Sequence, residues 1–283
     1  MTPEANLTQP ESGAQTKRIS VVIVSFNRAG KLHRSLEALG DAHQILVVDN
    51  ASRDDTSSLE TAFPAARFIR LPKNFGLTKA LNIGVRAADG EYVLFLHDDT
   101  VITGEAVSKL ADFLEARQDV GAVCPLLADE GGTASPQLRP LPTPSVPDPA
   151  FRPAEGTGEI TAECVRGAAI MFRSFFLRAL RQIDERYGNY GSDIEMSAQV
   201  KRASRKLTVL PEIHAMHEPS ASPMKKGALE GDRAVGTAVF LAKHYGFMSG
   251  IVYRIKTGLM ALVTFRFGVI AGAFSDVKID GTS

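Results

Sequence analysis

The 283-residue sequence has no excess of either charge, because 32 Lys and Arg balance 32 Asp and Glu. No basic field therefore spreads over the chain to hold nucleic acid, and any anion has to be bound by a local arrangement. Cysteine is scarce. Cys124 and Cys164 are the only two, both in apolar surroundings and without the spacing of a zinc site or a redox pair, which fits a reduced, cytoplasmic setting. An apolar run of the roughly 20 residues that a spanning helix requires is also missing. Residues 257–265 and 267–275 are uncharged, but Arg266 separates them. Residues 1–17, rich in Thr, Pro, Glu, Gln and Gly, lack the apolar stretch of an export signal and read as a disordered tail.

The chain does have 44% hydrophobic residues, enough for a sizeable core, and a pattern that alternates. Residues 19–24, 45–48, 67–71 and 92–96 are short apolar or β-branched runs, each the length of a strand. A helix begins near Ala29, and residues 78–88 have the apolar spacing of another. Strands alternating with helices imply an α/β fold with a doubly wound, mainly parallel sheet. Residues 128–159, rich in Pro, Gly, Thr and Ser, read as a long irregular excursion rather than core. A strand over 165–172 that opens at Gly167, helices over 174–182 and 193–203, and a last short strand over 207–210 follow, and residues 219–232 read as flexible.

In a sheet of this kind ligands lie beyond the carboxyl ends of the strands. Polar residues gather at those ends: Ser25, Asn27 and Arg28 after the first run, Asp49, Asn50 and Ser52 after the second, Lys73 and Asn74 after the third, His97, Asp98 and Asp99 after the fourth. Asp98 and Asp99 offer hard oxygen ligands suited to Mg²⁺ or Mn²⁺, which could neutralise charge growing on a diphosphate leaving group. The same pair could equally be acids opening a loop. Asp49 is placed to accept from a base N–H or a ribose hydroxyl, or else to cap the segment after Ala51, a role that Ser52 or Asp54 could fill instead. Phe26 could stack on a base or belong to the core.

In order and spacing, residues 21–28, 46–52, 74–77 with 81–84, and 90–99 resemble successive motifs of the family 2 glycosyltransferases. The similarity continues through 166–169, 183–187 and 191–196, so that it spans about residues 18–220, and it most resembles the rhamnosyltransferase-like branch. The resemblance implies a GT-A fold, with residues 18–100 as the nucleotide-binding half and 101–220 as the acceptor half of one catalytic domain. Residues 221–283 then form a flexible loop and C-terminal helices. It further implies a UDP-, dTDP- or GDP-linked sugar donor, Mn²⁺ or Mg²⁺ as cofactor, and inverting hexosyl or deoxyhexosyl transfer to a hydroxyl of a glycan or polyprenyl-linked acceptor. Cell-surface polysaccharide, cell-wall or glycolipid assembly is the process that such a reaction serves.

By position, the resemblance makes Asp193 the catalytic base and Asp99 a metal ligand. His217 becomes a second ligand near the metal and diphosphate, with His214 its rival. Donor contacts are expected from Ser25, Phe26, Asn27, Asp49, Asn74, Lys79, Asn82 and Asp98. Asp193 could instead be a helix N-terminal acid favoured by the macrodipole. Three positions depart from the family pattern: Ser192 where Glu is usual, Glu195 where Asp is common, and His97 where another acid or an Asn often stands. A nucleotide-sugar-binding protein of weak or no catalytic power is the competing reading, and Ser192 is its best support. A nucleotidyltransferase of similar fold would need a Gly-rich phosphate loop where Ser25, Phe26, Asn27 and Arg28 stand.

Basic residues Lys201, Arg202, Arg205 and Lys206 read as a solvated face, whereas Lys225 and Lys226 could sit on a lid that closes over the donor phosphates. Near the end, an apolar set from Ile251 to Phe267 is interleaved with Arg254, Lys256 and Arg266. Residues 247–275 could therefore lie in a membrane interface, which would place the protein peripherally on the inner face of the plasma membrane, or could pack on the catalytic domain or a second subunit.

Overall fold

The computed structural model describes residues 17–180, 182–218, 226–266 and 269–270. The near-continuous apolar sequence of Ile19–Ser25 (β1) forms a strand buried on both faces, as the middle of a parallel sheet requires. Ala29–Leu39 (α1), Gln44–Asp49 (β2), Leu59–Ala62 (α2), Ala66–Arg70 (β3), Leu77–Arg86 (α3) and Tyr92–His97 (β4) follow in alternation. β2 and β4 flank β1, parallel to it, and β3 runs parallel to β2 on the outside. α3 lies hard against β1 because Gly84 has no side chain: a Cβ there would stand 2.3 Å from Cγ1 of Val22.

The second half consists of Thr100–Val101 (β5), Gly104–Ala116 (α4), Val120–Ala128 (β6), Pro136–Arg139 (β7), Arg152–Pro153 (β8), Ile160–Ala162 (β9), Cys164–Val165 (β10) and Ala169–Arg173 (β11). Ser174–Ala179 (α5), Ser192–Arg202 (α6), Lys206–His217 (β12), Lys226–Tyr245 (α7) and Phe247–Val263 (α8) complete the described elements. The main sheet has the order β3-β2-β1-β4-β11-β6-β12-β5, with β9 also on β12. β11 is antiparallel to both β4 and β6, so the sheet is parallel in its first half and mixed in its second. Leu32 and Leu36 of α1 and Val107 and Leu110 of α4 pack one face; Leu81 of α3, Leu177 of α5 and Met196 and Val200 of α6 pack the other.

Several expectations need correction. Residues 128–159 are not merely an excursion: β7, β8 and β10 form a second, three-stranded sheet, and Gln137, Leu138 and Arg139 are buried. The Gln137 amide draws this segment in by donating to the Pro125 carbonyl and accepting from the Leu127 N–H. The expected strand over 165–172 is two strands, β10 and β11, divided at Gly167, and the helix from Ser174 ends at Ala179. The last strand does not stop at 210 but continues to His217, passing Pro211 through a bulge between Leu210 and His214. α7 begins at Lys226, so much of the stretch expected to be flexible is helical, while 219–225, with Lys225, and 1–16 lie outside the described residues. No element was expected over 101–127, where β5, α4 and β6 stand.

α7 packs on α6 through Phe240 and Leu241 against Ile194 and Ala198. Beneath that contact the buried Glu195 accepts from Tyr187 Oη at 2.9 Å, faces His244 Nε2 at 2.9 Å and pairs with Lys243 at 2.8 Å. α8 folds back on α7, with Gly250 against the Ala238 carbonyl and Ala242. Its outer side leaves Phe247, Met248, Leu259, Met260, Val263 and the following Phe265 exposed. Among the described residues no helix is long and apolar enough to cross a membrane.

Candidate active site

The carboxyl ends of β1, β2 and β4 meet at one edge, and two tight turns bring their polar residues together. Asn27 (φ 54°) and Ala51 (φ 67°) both take the left-handed conformation, cheap for Asn and costly for Ala. The turns are tied to each other. The Asn27 N–H donates to Ser52 Oγ at 2.9 Å and the Arg53 N–H to Asn27 Oδ1 at 2.7 Å.

At the end of β4, Asp98 is buried, accepting from Ser25 Oγ at 2.9 Å and from Arg28 Nη1 at 3.2 Å. Burial pushes its pKa up to about 6, against the opposing charge of Arg28. Asp99 divides its two oxygens. Oδ2 accepts from Arg28 Nη1 at 2.9 Å, while Oδ1 is buried without a hydrogen bond among the described residues, 3.5 Å from His217 Nε2 and 4.0 Å from His97 Nδ1. Burial acts to raise the Asp99 pKa, but His217, His97 and Arg28 outweigh it and hold it at about 2. Burial lowers the pKa of His97 despite Asp99, so its neutral form, with a free ring lone pair, is favoured.

His97, Asp99 and His217 each offer one ligand atom, and the three atoms lie within 4.8 Å of one another. Buried polar atoms left without partners are uncommon, and here Asp99 Oδ1 and His217 Nδ1 are both in that state. Two imidazoles and a carboxylate fit a divalent cation. His217 reaches this point because β12, after its bulge, pairs with β5 in the register His217 to Thr100. The alternation of the strand buries Ile213, Ala215 and His217 and exposes His214, so His217, and not His214, is the histidine of this strand that stands beside Asp99.

Beside the trio lies a cavity of about 180 Å³ with a floor of Leu77, Leu81, Phe95 and Met196 and walls that include His97, Phe151, Arg166, Tyr190 and Asp193. Asp193 stands in the first turn of α6, where Gly191 (φ 103°) makes the entry turn. His97 belongs to both places. It faces Asp99 in the trio and lines the cavity with Asp193, and both carboxylates act electrostatically on it and on Arg166. His97 thus stands between Asp99 and the cavity that Asp193 lines.

Residues 20–179, more than half of the chain, match the description Glycosyl transferase family 2. The chain belongs to this family. Among curated relatives, the uncharacterized glycosyltransferase YwdF of Bacillus subtilis is 30% identical over 132 residues, 44% of this chain. The chain spans about half the length of that relative, 49%. The N-acetylglucosaminyl-diphospho-decaprenol L-rhamnosyltransferase of Mycobacterium tuberculosis is 23% identical over 281 residues, 87% of this chain and 92% of that protein. A mannosyltransferase of Pyrobaculum calidifontis solved with GDP-Man and Mn²⁺ superposes with a TM-score of 0.54 at 16% identity, covering 93% of this chain and 88% of that one. GalNAc-T7 with UDP, GalNAc and Mn²⁺ gives 0.59 at 15% identity, covering 79% and 47%. The fold is α/β and GT-A-like, as the resemblance implied; its sheet, parallel in one half and mixed in the other, is flanked by helices and followed by a C-terminal helical segment.

Within that family frame the residues expected at the site fall into two groups. Ser25, Asp98, Asp99 and His217 form one connected cluster, joined by Arg28 and His97, to which the motifs had assigned no role. The others mostly carry structure in what is observed. Asp49 Oδ1 accepts from the Ser52 N–H at 2.8 Å, and Asn74 accepts from Asn50 and from the Gly76 N–H. Asn82 has both ends of its amide on the backbone of Ile183, which pins α3 to the segment before α6. Lys79 lies 4.6 Å over the Phe75 ring, and Phe26 is half-buried. The signal that could have found His97 is its place between a buried strand and the acid pair; nothing local in the sequence marks Arg28 over its neighbours.

Proposed function

We propose that the protein is an inverting glycosyltransferase that moves a sugar from a nucleotide-diphosphate donor to an acceptor hydroxyl, in the assembly of a cell-surface polysaccharide or glycolipid. The observation that carries this reading is the sharing of His97 between the Asp99 and His217 cluster and the cavity of Asp193. His97, Asp99 and His217 would hold the cation, and their two nitrogens and one oxygen favour Mn²⁺ over Mg²⁺. When bound, such an ion supplies charge neutralisation for a departing diphosphate.

The chain's own residues do the rest. Arg28 neutralises one oxygen of Asp99 and holds Asp98, so the cluster keeps its shape before any ligand arrives. Asp49, at the end of β2, contacts the base or ribose, and Ser25, Phe26, Asn27, Asn74, Lys79 and Asn82 shape the donor edge directly or through the turns that they hold. Asp193 takes the proton of the acceptor hydroxyl while that oxygen bonds to the anomeric carbon and the bond to the diphosphate oxygen breaks. The apolar floor beneath it limits water, a competing acceptor.

The nucleotide is UDP, dTDP or GDP, and a hexose or deoxyhexose is transferred; the rhamnosyltransferase resemblance and the mycobacterial relative support the deoxyhexose. A polyprenyl-linked acceptor agrees with the exposed apolar side of α8, which we place against the inner face of the plasma membrane. The decisive experiment is a thermal-shift screen of UDP-, dTDP- and GDP-sugars with and without Mn²⁺, followed by assay of nucleotide-diphosphate release on adding acceptor, in the wild type and Asp193→Asn. A donor-dependent shift, with release lowered about 10²–10⁴-fold in the variant, is expected. Binding without any acceptor-dependent release would leave a nucleotide-sugar-binding protein instead.

A further inference from the structure

Arg139 is an arginine whose side chain is wholly buried in β7. Its Nη1 donates to Tyr190 Oη at 3.0 Å and lies 3.5 Å from Asp148 Oδ1, but Nε and Nη2 have no hydrogen-bond partner among the described residues. An unsatisfied buried donor costs about 1–3 kcal/mol, and more when it belongs to a charged group. Stacking accounts for the faces of this guanidinium, with the Phe151 ring 4.2 Å and the Tyr190 ring 5.7 Å away, and the buried Cys164 thiol, a weak acceptor, interacts with the side chain, but Nε and Nη2 have no oxygen acceptor among the described residues.

Two further arginines share these rings. Arg166 lies 4.6 Å over Phe151 and donates from Nε to the Pro136 carbonyl; Arg233 of α7 lies 5.4 Å over Tyr190 and pairs with Asp148 at 2.6 Å. Three guanidinium groups from three parts of the chain thus meet at two aromatic rings, and Asp148 is the carboxylate paired with two of them. Phe151, Tyr190 and Arg166 line the cavity that Asp193 lines. The corner is on the side of Asp193 supplied by β7, the segment after β10 and α7, whereas the cation cluster comes from β4 and β12.

We propose that this corner is an acceptor subsite for an oxyanion, a phosphate or carboxylate carried by the acceptor beside the hydroxyl that Asp193 deprotonates. The inference rests on the glycosyltransferase reading and adds to it the charge class of the acceptor. Arg166, open to the cavity, makes the first contact. Arg139, on the other guanidinium contact of the Phe151 ring, brings two donors in the planar fork that matches either oxyanion when that ring turns aside.

The test measures binding to the full chain by calorimetry, with Mn²⁺ and pyrophosphate present to occupy the cation side. Three probes are compared: glucose, glucose 1-phosphate and glucuronate. One of the two anions should bind about tenfold or more tightly than glucose, and which one does so names the oxyanion. Arg166→Gln, at a half-buried position, should remove most of that preference, and Arg139→Lys, which keeps the charge but not the fork, should reduce it severalfold. Equal binding of all three probes, or a preference that survives Arg166→Gln, overturns the proposal. Failure of the glycosyltransferase reading registers separately, as no thermal shift with any nucleotide sugar and Mn²⁺, and leaves the anion preference measurable.

Discussion

A Cβ added at Gly167 would stand 3.0 Å from the Cβ of Asp193. Carbon atoms in comfortable contact are about 3.5–4.0 Å apart, so only glycine lets α6 bring its first-turn carboxylate this close to the end of β10. Gly167→Ala should therefore displace Asp193 by several tenths of an ångström without touching the donor edge. The expected outcome is a fall in kcat of roughly tenfold, with the nucleotide-sugar thermal shift unchanged. An unaltered kcat would separate Asp193 from the chemistry.

The cation cluster makes a prediction that discriminates between neighbours. Asp99→Asn, His217→Ala and His97→Ala should each weaken Mn²⁺ affinity, followed by thermal shift, by on the order of tenfold or more. His214→Ala, three residues from His217 but exposed on the other face of β12, should leave it unchanged. Equal effects of the two strand histidines would remove His217 from the cation site.

Glu195 links stability to pH. Burial acts to raise its pKa, but hydrogen bonds from His244, Lys243 and Gln199 prevail and hold it at about 2, below the ordinary 4.5. A carboxyl whose folded pKa is depressed contributes stability that is fully present above the unfolded value and is lost as pH falls through the folded one. Stability should accordingly fall between about pH 4.5 and pH 2, and Glu195→Gln should flatten that part of the profile while lowering the midpoint at pH 7. Urea melts at several pH values measure both effects.

The exposed side of α8 yields the last prediction. Val263 and Phe265 are 75% and 78% exposed, and Leu259 and Met260 stand beside them on the helix surface. If this side meets lipid, the protein should float with vesicles containing anionic lipid, and Leu259→Glu with Val263→Glu should abolish flotation. Transfer to a water-soluble acceptor should persist in that variant. A dimer in light scattering, with no flotation, would assign the surface to a second subunit.

The first four strands were legible because each is an apolar run that ends in a polar cluster, and the sheet's topology then placed those clusters on one edge. α4 carries a local signal of its own: Thr103 accepts from the Ala106 N–H as its cap, and Val107, Leu110, Ala111 and Leu114 mark its buried stripe. What local patterns could not give depends on partners far along the chain. Arg139 sits in a Pro-rich stretch that reads as surface, yet Tyr190, Phe151 and Gln137's contacts with β6 draw it inside. His97 reads as a departure from a motif until His217, brought back by β12, stands near it. β12 extends past its local apolar run of Leu207 to Leu210 because the bulge absorbs Pro211 and lets pairing resume at His214.

That bulge has a consequence for how the chain tolerates changes in length. Side chains alternate along a strand, so the count of residues between Leu210 and the Thr100 pairing fixes which one meets Asp99. Removing one residue from 211–213 would bring the carboxylate of Glu218 to the place of the His217 imidazole, and adding one would bring the thioether of Met216. Register in this distorted stretch thus selects nitrogen, oxygen or sulfur as the donor beside Asp99, and a two-residue insertion, which would bring the methyl group of Ala215, should remove the donor altogether.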